Sequence, residues 1–437
     1  MKPLLRLAAA ALAAAALVFP AAAIDIQVVK TPGGIEAWLV EEHGLPIIAI
    51  QAGVDGGGRL DPEDKTGLAY LASTLMNEGA GDYDSTAFMR KLEEKAISFG
   101  SSADTDAFYF SLTTLSENKA DAFELMRLAI ASPRFDQEAI DRMKAQIADS
   151  QKEQDEDPNA IAGNAWSAAA YPGHPYGRRL MGTAESLAAI TRDDIVAFTK
   201  TRLGRDKLKV VVVGDISAAE LGPVLDTIFA GLPATREAAD PPRITMQNGG
   251  KTDIIDRDIP QSVVVFGAPG LSMTDPEYRA AQVMNYVLGG GGFASRLMTE
   301  VRSKRGLTYG ISTYLAGYQF ADTLGGSVAS DNAKIKETLD ITRAEIEKMR
   351  NAGITDEELK GAKAYLTGSY ALRFDSNAHI ATSLLSLYLD GFDKDYINRR
   401  NAEIEAVTKD QVQAVAKRLL DVNAFYWVIV GKPQGVQ

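Results

Sequence analysis

The strongest constraint on this sequence is an internal repeat, because a chain written twice folds as two copies of one unit. When the second half is shifted back by 217 positions, similar residues coincide in the same order in both halves. The matches are Tyr171 with Tyr388, Thr191 with Thr408, Asp193 with Asp410, Lys200 with Lys417, Leu203 with Leu420, and Val211–Gly214 with Val428–Gly431. Towards the start of each half the shift falls to 214 (Asp61-Pro62 with Asp275-Pro276) and to 209 (Lys95 with Lys304). Loop insertions between duplicated elements produce such a drift, so we predict a duplicated domain.

Each half also has the same predicted order of strands and helices. In the first half, strands are predicted at Ile24–Lys30, Ile35–Glu41, Pro46–Gly53, Asp104–Leu115 and Leu208–Val213, and helices at Asp61–Met76, Lys119–Ala131, Asp136–Glu153 and Asn159–Tyr171. In the second half, strands are predicted at Gln261–Ala268, Leu307–Leu315, Asp322–Ala329 and Phe425–Val430, and helices at Asp275–Leu288, Ala333–Asn351 and Asp356–Phe374. Mixed elements of this kind favour an α+β unit in duplicate over a doubly wound nucleotide-binding fold.

The first 23 residues have the pattern of a secretory signal peptide. Lys2 and Arg6 precede an alanine-rich apolar core, Leu7–Phe19, and Ala21-Ala22-Ala23 supplies a small-residue cleavage site. The alternative is a retained membrane anchor, since the apolar run continues to Ile24, but an alanine-rich run is only weakly hydrophobic. We therefore expect cleavage after Ala23 and an exported, periplasmic protein without a stable membrane anchor.

The remaining chain divides into two predicted domains, at residues 24–230 and 251–437. Residues 231–250 between them contain Pro233, Pro241, Pro242 and paired glycines, with little periodicity, and are predicted to be a linker.

Composition excludes several kinds of site. The 437 residues include no cysteine, which excludes disulfides, thiolate zinc sites, iron–sulfur clusters and thiol nucleophiles. The net charge of −12 argues against a nucleic-acid partner. The only histidines, His43, His174 and His379, are far apart in sequence, so neither H-E-x-x-H nor H-x-x-E-H occurs.

The glycine run and the serine residues give little support to a phosphate loop or to a serine hydrolase. Gly289, Gly290, Gly291 and Gly292 suggest a phosphate loop, but they lack the following Lys-Ser/Thr and join two predicted helices. A flexible joint, and thus a candidate hinge, is the better interpretation. Serine–histidine–aspartate catalysis is not excluded by spacing alone, but no G-x-S-x-G sequence is present.

A series of landmarks carries a family resemblance. In the first half they are Gly67-Leu68-Ala69, His174-Pro175-Tyr176-Gly177, Gly182-Thr183, Ile190-Thr191 and Val210–Asp215, and in the second half Gly289-Gly290-Gly291, Ser295-Arg296-Leu297, Val301-Arg302-Ser303-Lys304 and Gly306-Leu307-Thr308-Tyr309. Through them the chain resembles the pitrilysin/insulinase-like family of inverted zinc metallopeptidases, which includes the mitochondrial processing peptidase and the core proteins of the cytochrome bc1 complex. The resemblance implies two homologous α/β-sandwich-like domains, each a mostly antiparallel sheet with helices on one side.

The sequence departs from that family at the metal site. Active members carry H-x-x-E-H directly after the Gly-Leu-Ala landmark, where the histidines bind zinc and the glutamate is the general base. The aligned positions here are Tyr70, Ser73 and Thr74. The third ligand, a glutamate, is expected in the segment that begins at Asp136, but Met143, Ala145 and Ala148 stand there and no glutamate occurs between Glu138 and Glu153. We expect no zinc and no other metal in this chain.

The resemblance also implies a retained pair of substrate-binding residues in the second half. Family members place an arginine and a tyrosine seven residues apart near substrate bound at the zinc, and Arg302 and Tyr309 match that pair. A phenol can donate to a developing oxyanion, and a guanidinium can hold the substrate backbone. The bland alternative is a surface arginine beside a half-buried strand tyrosine.

From these features we expect the zinc-free subunit of an exported two-chain zinc metallopeptidase. Its partner would be a homologous chain with H-x-x-E-H, in a heterodimer or a dimer of heterodimers, and its substrates would be peptides. An inert structural or peptide-binding scaffold, similar to the respiratory-complex core proteins, is the main alternative. An autonomous enzyme that uses other groups has little support.

Overall fold

A computed structural model describes residues 24–436 of the chain. The predicted signal peptide, residues 1–23, lies outside the described residues. None of the helices in the described part combines the length and apolar character needed to cross a bilayer.

The first half is built on a six-stranded sheet with a small two-stranded ribbon beside it. Its strands are β1 (Gln27–Lys30), β2 (Glu36–Glu41), β3 (Ile47–Asp55), β4 (Gly79–Ala80), β5 (Tyr83–Asp84), β6 (Ser98–Ala103), β7 (Ala107–Leu115) and β8 (Leu208–Gly214). The order across the main sheet is β1-β2-β8-β3-β7-β6, and β2–β8 is its parallel pair. Because alternate residues of β7 face one side of the sheet, Phe108, Phe110 and Leu112 all enter the core.

The helices of the first half are α1 (Leu68–Leu75), α2 (Ser85–Glu94), α3 (Lys119–Ala131), α4 (Gln137–Glu156), α5 (Pro158–Ala170), α6 (Ala184–Ala189), α7 (Arg192–Thr201) and α8 (Ala218–Phe229). All of these except α5 pack on one face of this sheet. Several begin with hydroxyl or aspartate caps, among them Thr183, Thr191 and Ser217, which satisfy amides at the helix start.

The second half contains a five-stranded sheet with the order β11-β12-β10-β13-β9. Its strands are β9 (Thr252–Asp256), β10 (Gln261–Pro269), β11 (Ile311–Tyr318), β12 (Ala321–Asp331) and β13 (Tyr426–Gly431). Its helices are α9 (Tyr278–Asn285), α10 (Ile335–Ala352), α11 (Asp356–Gly368), α12 (Asn377–Leu389), α13 (Tyr396–Ala406) and α14 (Lys409–Leu419). Residues 230–251 between the sheets contain neither helix nor strand.

The sheets confirm the duplicated α+β fold. The order β2-β8-β3-β7-β6 of the first sheet corresponds strand by strand to β9-β13-β10-β12-β11 of the second, including the parallel pair at one end. The register also repeats, since Ala49 faces Val213 and Val263 faces Val430, at the sequence shifts of 214 and 217. Gly214 and Gly431 end the equivalent strands with positive φ values of 137° and 143°, where glycine is favoured.

Several predicted boundaries were wrong. The helix predicted from Asp61 begins at Leu68, because the preceding residues form two short 3-10 turns and Asp61 binds the amides of the helix start. The strand predicted from Leu307 begins at Ile311, so Tyr309 lies in the loop before β11. Strand β6 was not predicted, because Ser98–Ala103 is rich in small residues of low β-propensity.

Each half covers the second face of the other half's sheet with one helix. Helix α5 of the first half packs against β10 and β13, and helix α12 of the second half packs against β3 and β8. On the first exchanged helix, Trp166 donates to the carbonyl of Tyr426 at 3.2 Å. On the second, Tyr388 stacks on Trp38 with ring centroids 4.2 Å apart. The two halves therefore form one packed body.

The exchanged helices require glycine at equivalent strand positions. A Cβ at Gly267 would come within 2.5 Å of the Trp166 ring, and a Cβ at Gly53 within 2.8 Å of Leu389. These glycines are related by the shift of 214. Close approach of an exchanged helix thus explains the same residue at both sites.

A buried charge cluster joins the halves at the same seam. The Arg59 side chain is fully buried and pairs with Asp55, Asp106 and Asp240. Asp106 also accepts from the Tyr176 hydroxyl at 2.7 Å and from the backbone amide of Gln319, which lies between β11 and β12. Residues of the first sheet, the segment between the sheets and the second half therefore share one polar network.

We expect Gly267→Ala to lower stability by about 1–3 kcal/mol, because the added methyl overpacks the contact with the rigid Trp166 ring. Gly163→Ala is the matched control: it lies on α5 with nothing within 4 Å of a Cβ, and is expected to be neutral or stabilising by about 1 kcal/mol. Thermal unfolding followed by circular dichroism measures both. Equal melting temperatures for the two variants would contradict this account of the interface.

Candidate functional site

The predicted substrate-binding pair lies at a tight reversal of the chain. Arg302 is in a π-helical turn, Met298–Ser303, and Gly306 closes it with a left-handed φ of +62° while its amide donates to the Arg302 carbonyl at 2.8 Å. The chain then turns back, and Arg302 Nη1 donates to the Tyr309 carbonyl at 2.7 Å. The structure thus brings the two residues together, with the guanidinium bound to the tyrosine backbone.

The side chains of this corner face outward. Tyr309 is 83% exposed, and Phe293, which lies under the Arg302 guanidinium at 4.6 Å, is 68% exposed. Within residues 24–436 the Tyr309 hydroxyl makes no hydrogen bond and Arg302 has no carboxylate within 4.0 Å. A phenol and a guanidinium on an exposed aromatic corner are therefore free to bind another molecule. We call Phe293, Arg302 and Tyr309 the exposed corner.

The corner is anchored on both sides by residues that the sequence interpretation left without a role. The Thr308 hydroxyl lies 2.6 Å from the Ala329 carbonyl of β12 and accepts from the Gly310 amide at 3.0 Å. Upstream, Arg296 binds both carboxylate oxygens of Glu358 at 2.7 and 2.8 Å. Thr308 and Arg296 occur within the landmarks themselves, which was the available signal. Their bonds fix the loop that carries Tyr309.

The positions aligned with the metal motif hold no ligand set. Tyr70, Ser73 and Thr74 lie on α1, and the hydroxyls of Ser73 and Thr74 donate to the carbonyls of Tyr70 and Leu71 at 2.7 and 2.8 Å. Ser73 is buried, and its own carbonyl accepts from the Ser101 hydroxyl of β6 at 2.6 Å. The hydroxyls of Ser73 and Thr74 are thus occupied by hydrogen bonds within the fold.

Helix α4, where the third ligand was expected, packs against α1 and presents no carboxylate to it from the predicted segment. Met143 is buried in the core and Ala148 packs against it, whereas Ala145 faces solvent. Gln151 was missed: it is buried, and its amide donates to the Met181 carbonyl at 2.8 Å. No group of three or more histidine, cysteine or acidic side chains in residues 24–436 is arranged to hold a metal ion.

The three histidines have separate structural partners. His174 Nδ1 accepts from the Tyr176 amide at 3.2 Å, and its Nε2 lies 3.0 Å from the Pro242 carbonyl. Burial lowers the pKa of this ring, which favours its neutral form. His43 lies 2.7 Å from Asp215, a bond that raises the pKa of the exposed ring. His379 lies 2.5 Å from Asp375. Each of the three rings therefore has a different hydrogen-bond partner, and none of these bonds joins two histidines.

The glycine run joins two helical segments, as predicted, and its role as a hinge stays a prediction. A π-helical turn, Tyr286–Gly290, precedes a short 3-10 turn, Gly292–Ala294. A Cβ at Gly289, Gly290 or Gly291 would approach neighbouring atoms to 2.6, 2.5 or 2.7 Å. Close packing against Thr313, Asn285 and Tyr286 therefore accounts for three of the four glycines.

Asp61 is a buried carboxylate at the start of the helix that carries the degenerate motif. Its oxygens accept from the amides of Gly67 and Ala69 at 2.9 and 3.0 Å. Burial raises its pKa to about 7, although the helix amides and Arg202 act in the opposite direction. Sequence analysis identified Asp61 only as a repeat landmark and helix start.

Comparisons with protein families match both halves. The family described as "Insulinase (Peptidase family M16)" matches residues 40–184, and the one described as "Peptidase M16 inactive domain" matches residues 189–366.

Known proteins of similar length also match. The chain is 25% identical over 391 residues to "Non-peptidase homolog YmxG" of Helicobacter pylori, which covers 89% of this chain and 90% of that protein. It is 21% identical over 398 residues to the mitochondrial-processing peptidase subunit beta of Lentinula edodes, covering 88% and 85%. The crystal structure of a peptidase M16 inactive domain from Pseudomonas fluorescens superposes with a TM-score of 0.88 at 26% identity, covering 94% of this chain and 99% of that chain.

We expect the purified chain to contain no stoichiometric zinc, because Tyr70, Ser73 and Thr74 replace the ligands and the hydroxyls of Ser73 and Thr74 are bonded within the fold. Metal analysis by mass spectrometry after dialysis against zinc, with an H-x-x-E-H homologue as positive control, measures this. One tightly held zinc per chain would contradict the interpretation of the degenerate motif.

We expect stability to fall as the pH rises from 4 to 7, because Asp61 has a higher pKa in the folded state than in the unfolded state. The folded state then binds the additional proton, and this stabilisation, at most about 4 kcal/mol, is lost as pH passes through the folded pKa. Urea unfolding of the wild type and Asp61→Ala at several pH values measures it. The variant should be less stable at low pH and show a flatter profile over that interval, and identical profiles would exclude Asp61 as the source.

Proposed function

The chain belongs to peptidase family M16, and on that premise we propose that it is the zinc-free subunit of a two-chain peptidase. In this proposal it binds peptide substrate and presents the exposed corner to a zinc site on a homologous H-x-x-E-H chain. Its own α1 would then serve the fold alone, since the Ser73 and Thr74 hydroxyls bond within the helix.

The observation that carries the proposal is the asymmetry between the two predicted sites. At the degenerate metal positions the Ser73 and Thr74 hydroxyls bond to backbone carbonyls of their own helix, whereas Tyr309 is 83% exposed on a loop fixed by Arg302 and Thr308. An exposed, positioned phenol with an unused hydroxyl has no packing role in this chain. Use by a second molecule gives it one.

The chemistry follows from the donors that the corner offers. Zinc on the partner would polarise the scissile carbonyl and activate water. The Tyr309 hydroxyl would donate a hydrogen bond to the carbonyl oxygen as it gains negative charge. One Arg302 nitrogen holds the Tyr309 carbonyl, which leaves its other N–H groups to bind the substrate backbone. In this role Arg302 both positions Tyr309 and contacts substrate.

We further propose that the complex is exported to the periplasm as a heterodimer or a dimer of heterodimers. The support is the sequence pattern of residues 1–23 and the likeness to a mitochondrial-processing peptidase subunit beta, whose name describes one subunit of an enzyme.

An inert scaffold is the second candidate, and it is favoured by the likeness to the Helicobacter pylori relative, which is named a non-peptidase homologue. The two candidates differ in one measurable respect. A catalytic subunit raises the peptidase rate of its H-x-x-E-H partner, whereas a scaffold binds the partner and leaves that rate unchanged.

We expect Tyr309→Phe to lower the peptidase rate of the assembled complex about a hundredfold or more, because one oxyanion donor contributes about 3–4 kcal/mol to transition-state stabilisation. Tyr83→Phe, a half-buried tyrosine of the first half, is the matched control and should leave the rate unchanged. Peptide hydrolysis is measured with the co-expressed homologue, and assembly by size-exclusion chromatography. Full turnover by an assembled Tyr309→Phe complex would remove Tyr309 from the mechanism.

A further inference from the structure

A cleft in the second half occupies the topological place that the degenerate motif occupies in the first. In the first half, α1 follows the central strand β3 and packs beside the edge strand β6, with α4 behind it. In the second half, α9 follows β10 and lies beside the edge strand β11, with α11 behind it. The cleft lies between α9, β11, α11 and α13 and has a volume of about 500 Å³, the size of a peptide or small-ligand site.

Tyrosine side chains are the most frequent residue type in the cleft wall. Five tyrosines line it, Tyr278, Tyr286, Tyr314, Tyr365 and Tyr370. The rings of Tyr286 and Tyr365 are in contact, with centroids 5.0 Å apart, and Tyr365 is 57% exposed. Tyrosine rings offer apolar faces for side chains and hydroxyls for polar groups, as in protein surfaces that bind peptides.

Two polar atoms of the cleft have no partner within the described part of the chain. They are Asn285 Oδ1 and Thr313 Oγ1, and Thr313 is only 3% exposed. Buried polar atoms are normally hydrogen-bonded, so these two atoms are positions where a ligand group or an ordered water can bind. An amide oxygen accepts an N–H and a hydroxyl can donate to a carbonyl, and a peptide backbone offers both.

The charge of the cleft is positive and uncompensated at one end. Arg400 is only 7% exposed. Its Nη1 donates to the Leu366 carbonyl and to the Asn401 side-chain oxygen, both at 2.9 Å. The guanidinium carbon lies 4.1 Å from the centre of the Tyr370 ring. Among residues 24–436, neither Arg400 nor the exposed Arg373 at the same end has a carboxylate within 4.0 Å. Buried charges are normally paired, so this guanidinium favours an anionic ligand.

The edge of the sheet supplies the remaining recognition groups. Strand β11 pairs with β12 on one side, and no other strand of the described residues pairs with its other side. An extended segment can use such an edge through backbone hydrogen bonds. Thr313, Tyr314 and Leu315 of β11 all line the cleft, which places the edge beside the tyrosines and arginines.

We propose that this cleft binds an extended peptide segment whose terminal carboxylate pairs with Arg400 and Arg373. Asn285 and Thr313 bind its backbone, and the tyrosines contact its side chains. The site is separate from the exposed corner and does not depend on a partner subunit, so the chain by itself binds peptide ends. It goes beyond the proposed function because no zinc and no Tyr309 take part.

Binding to the purified chain tests the proposal. The probe is a pool of fluorescein-labelled hexapeptides, varied at the last three positions and ending in a free carboxylate, measured by fluorescence anisotropy beside the same pool ending in an amide. The carboxylate pool should bind at least tenfold more tightly than the amide pool. Arg373→Gln, at an exposed position, and Thr313→Val, which keeps the side-chain shape, should each weaken binding of the carboxylate pool about tenfold.

Controls separate this site from the alternatives. Arg350→Gln makes the same charge change outside the cleft, so it should not change the affinity. Equal binding of the two pools, binding that Arg373→Gln and Thr313→Val leave intact, or displacement by inorganic phosphate as readily as by unlabelled peptide would each overturn the proposal. Loss of peptidase stimulation with peptide binding retained would instead count against the proposed function alone.

Discussion

Both faces of each sheet are apolar, and this single constraint organises the molecule. Helices of the same half cover one face, and one helix from the opposite half covers the other. The contacts of Trp166 with Tyr426 and of Trp38 with Tyr388 are the two instances of that exchange. Neither half can cover its sheet alone, so the duplication is stable only as a pair of interlocked copies. The relative placement of the degenerate site and the exposed corner is fixed by the same interlock.

The fold of the first half does not depend on metal ligands at the degenerate positions. Helix α1 needs apolar residues towards the core and tolerates any small polar residue that bonds to its own turn, which Ser73 and Thr74 do. Its start is held by Asp61, outside the motif positions. The first half therefore folds without metal ligands at Tyr70, Ser73 and Thr74. The exposed corner differs, since Tyr309 contributes little burial and stands at a position where packing does not require a tyrosine.

Much of the fold could be predicted from the sequence, and the errors have physical causes. Alternation identified β7, and the repeat predicted an α+β unit in duplicate, which the equivalent strand orders of the two sheets confirm. The exchange of α5 and α12 could not be predicted, because the periodicity of a helix shows that it has an apolar face and not which sheet that face contacts. Strand β6 was missed since its serines and glycine gain β-structure from their neighbours. For the pair of Arg302 and Tyr309, spacing predicted proximity, but the bond from the guanidinium to a backbone carbonyl depends on the left-handed turn at Gly306.

The glycine run connects the corner to the cleft through helix geometry. One π-helical turn, Tyr286–Gly290, contains the start of the run, and a second, Met298–Ser303, follows it. A π-helical turn adds a residue to an α-helical repeat and so redirects the side chains that follow the turn. The first turn places Tyr286 in the cleft and leaves Asn285 without a partner in the described residues, whereas the second places Arg302 over Phe293. Gly289 permits this course because Thr313 lies where its Cβ would be. One irregular segment therefore sets the geometry of both surfaces, and a substitution that straightened it into an α-helix would disturb the two together.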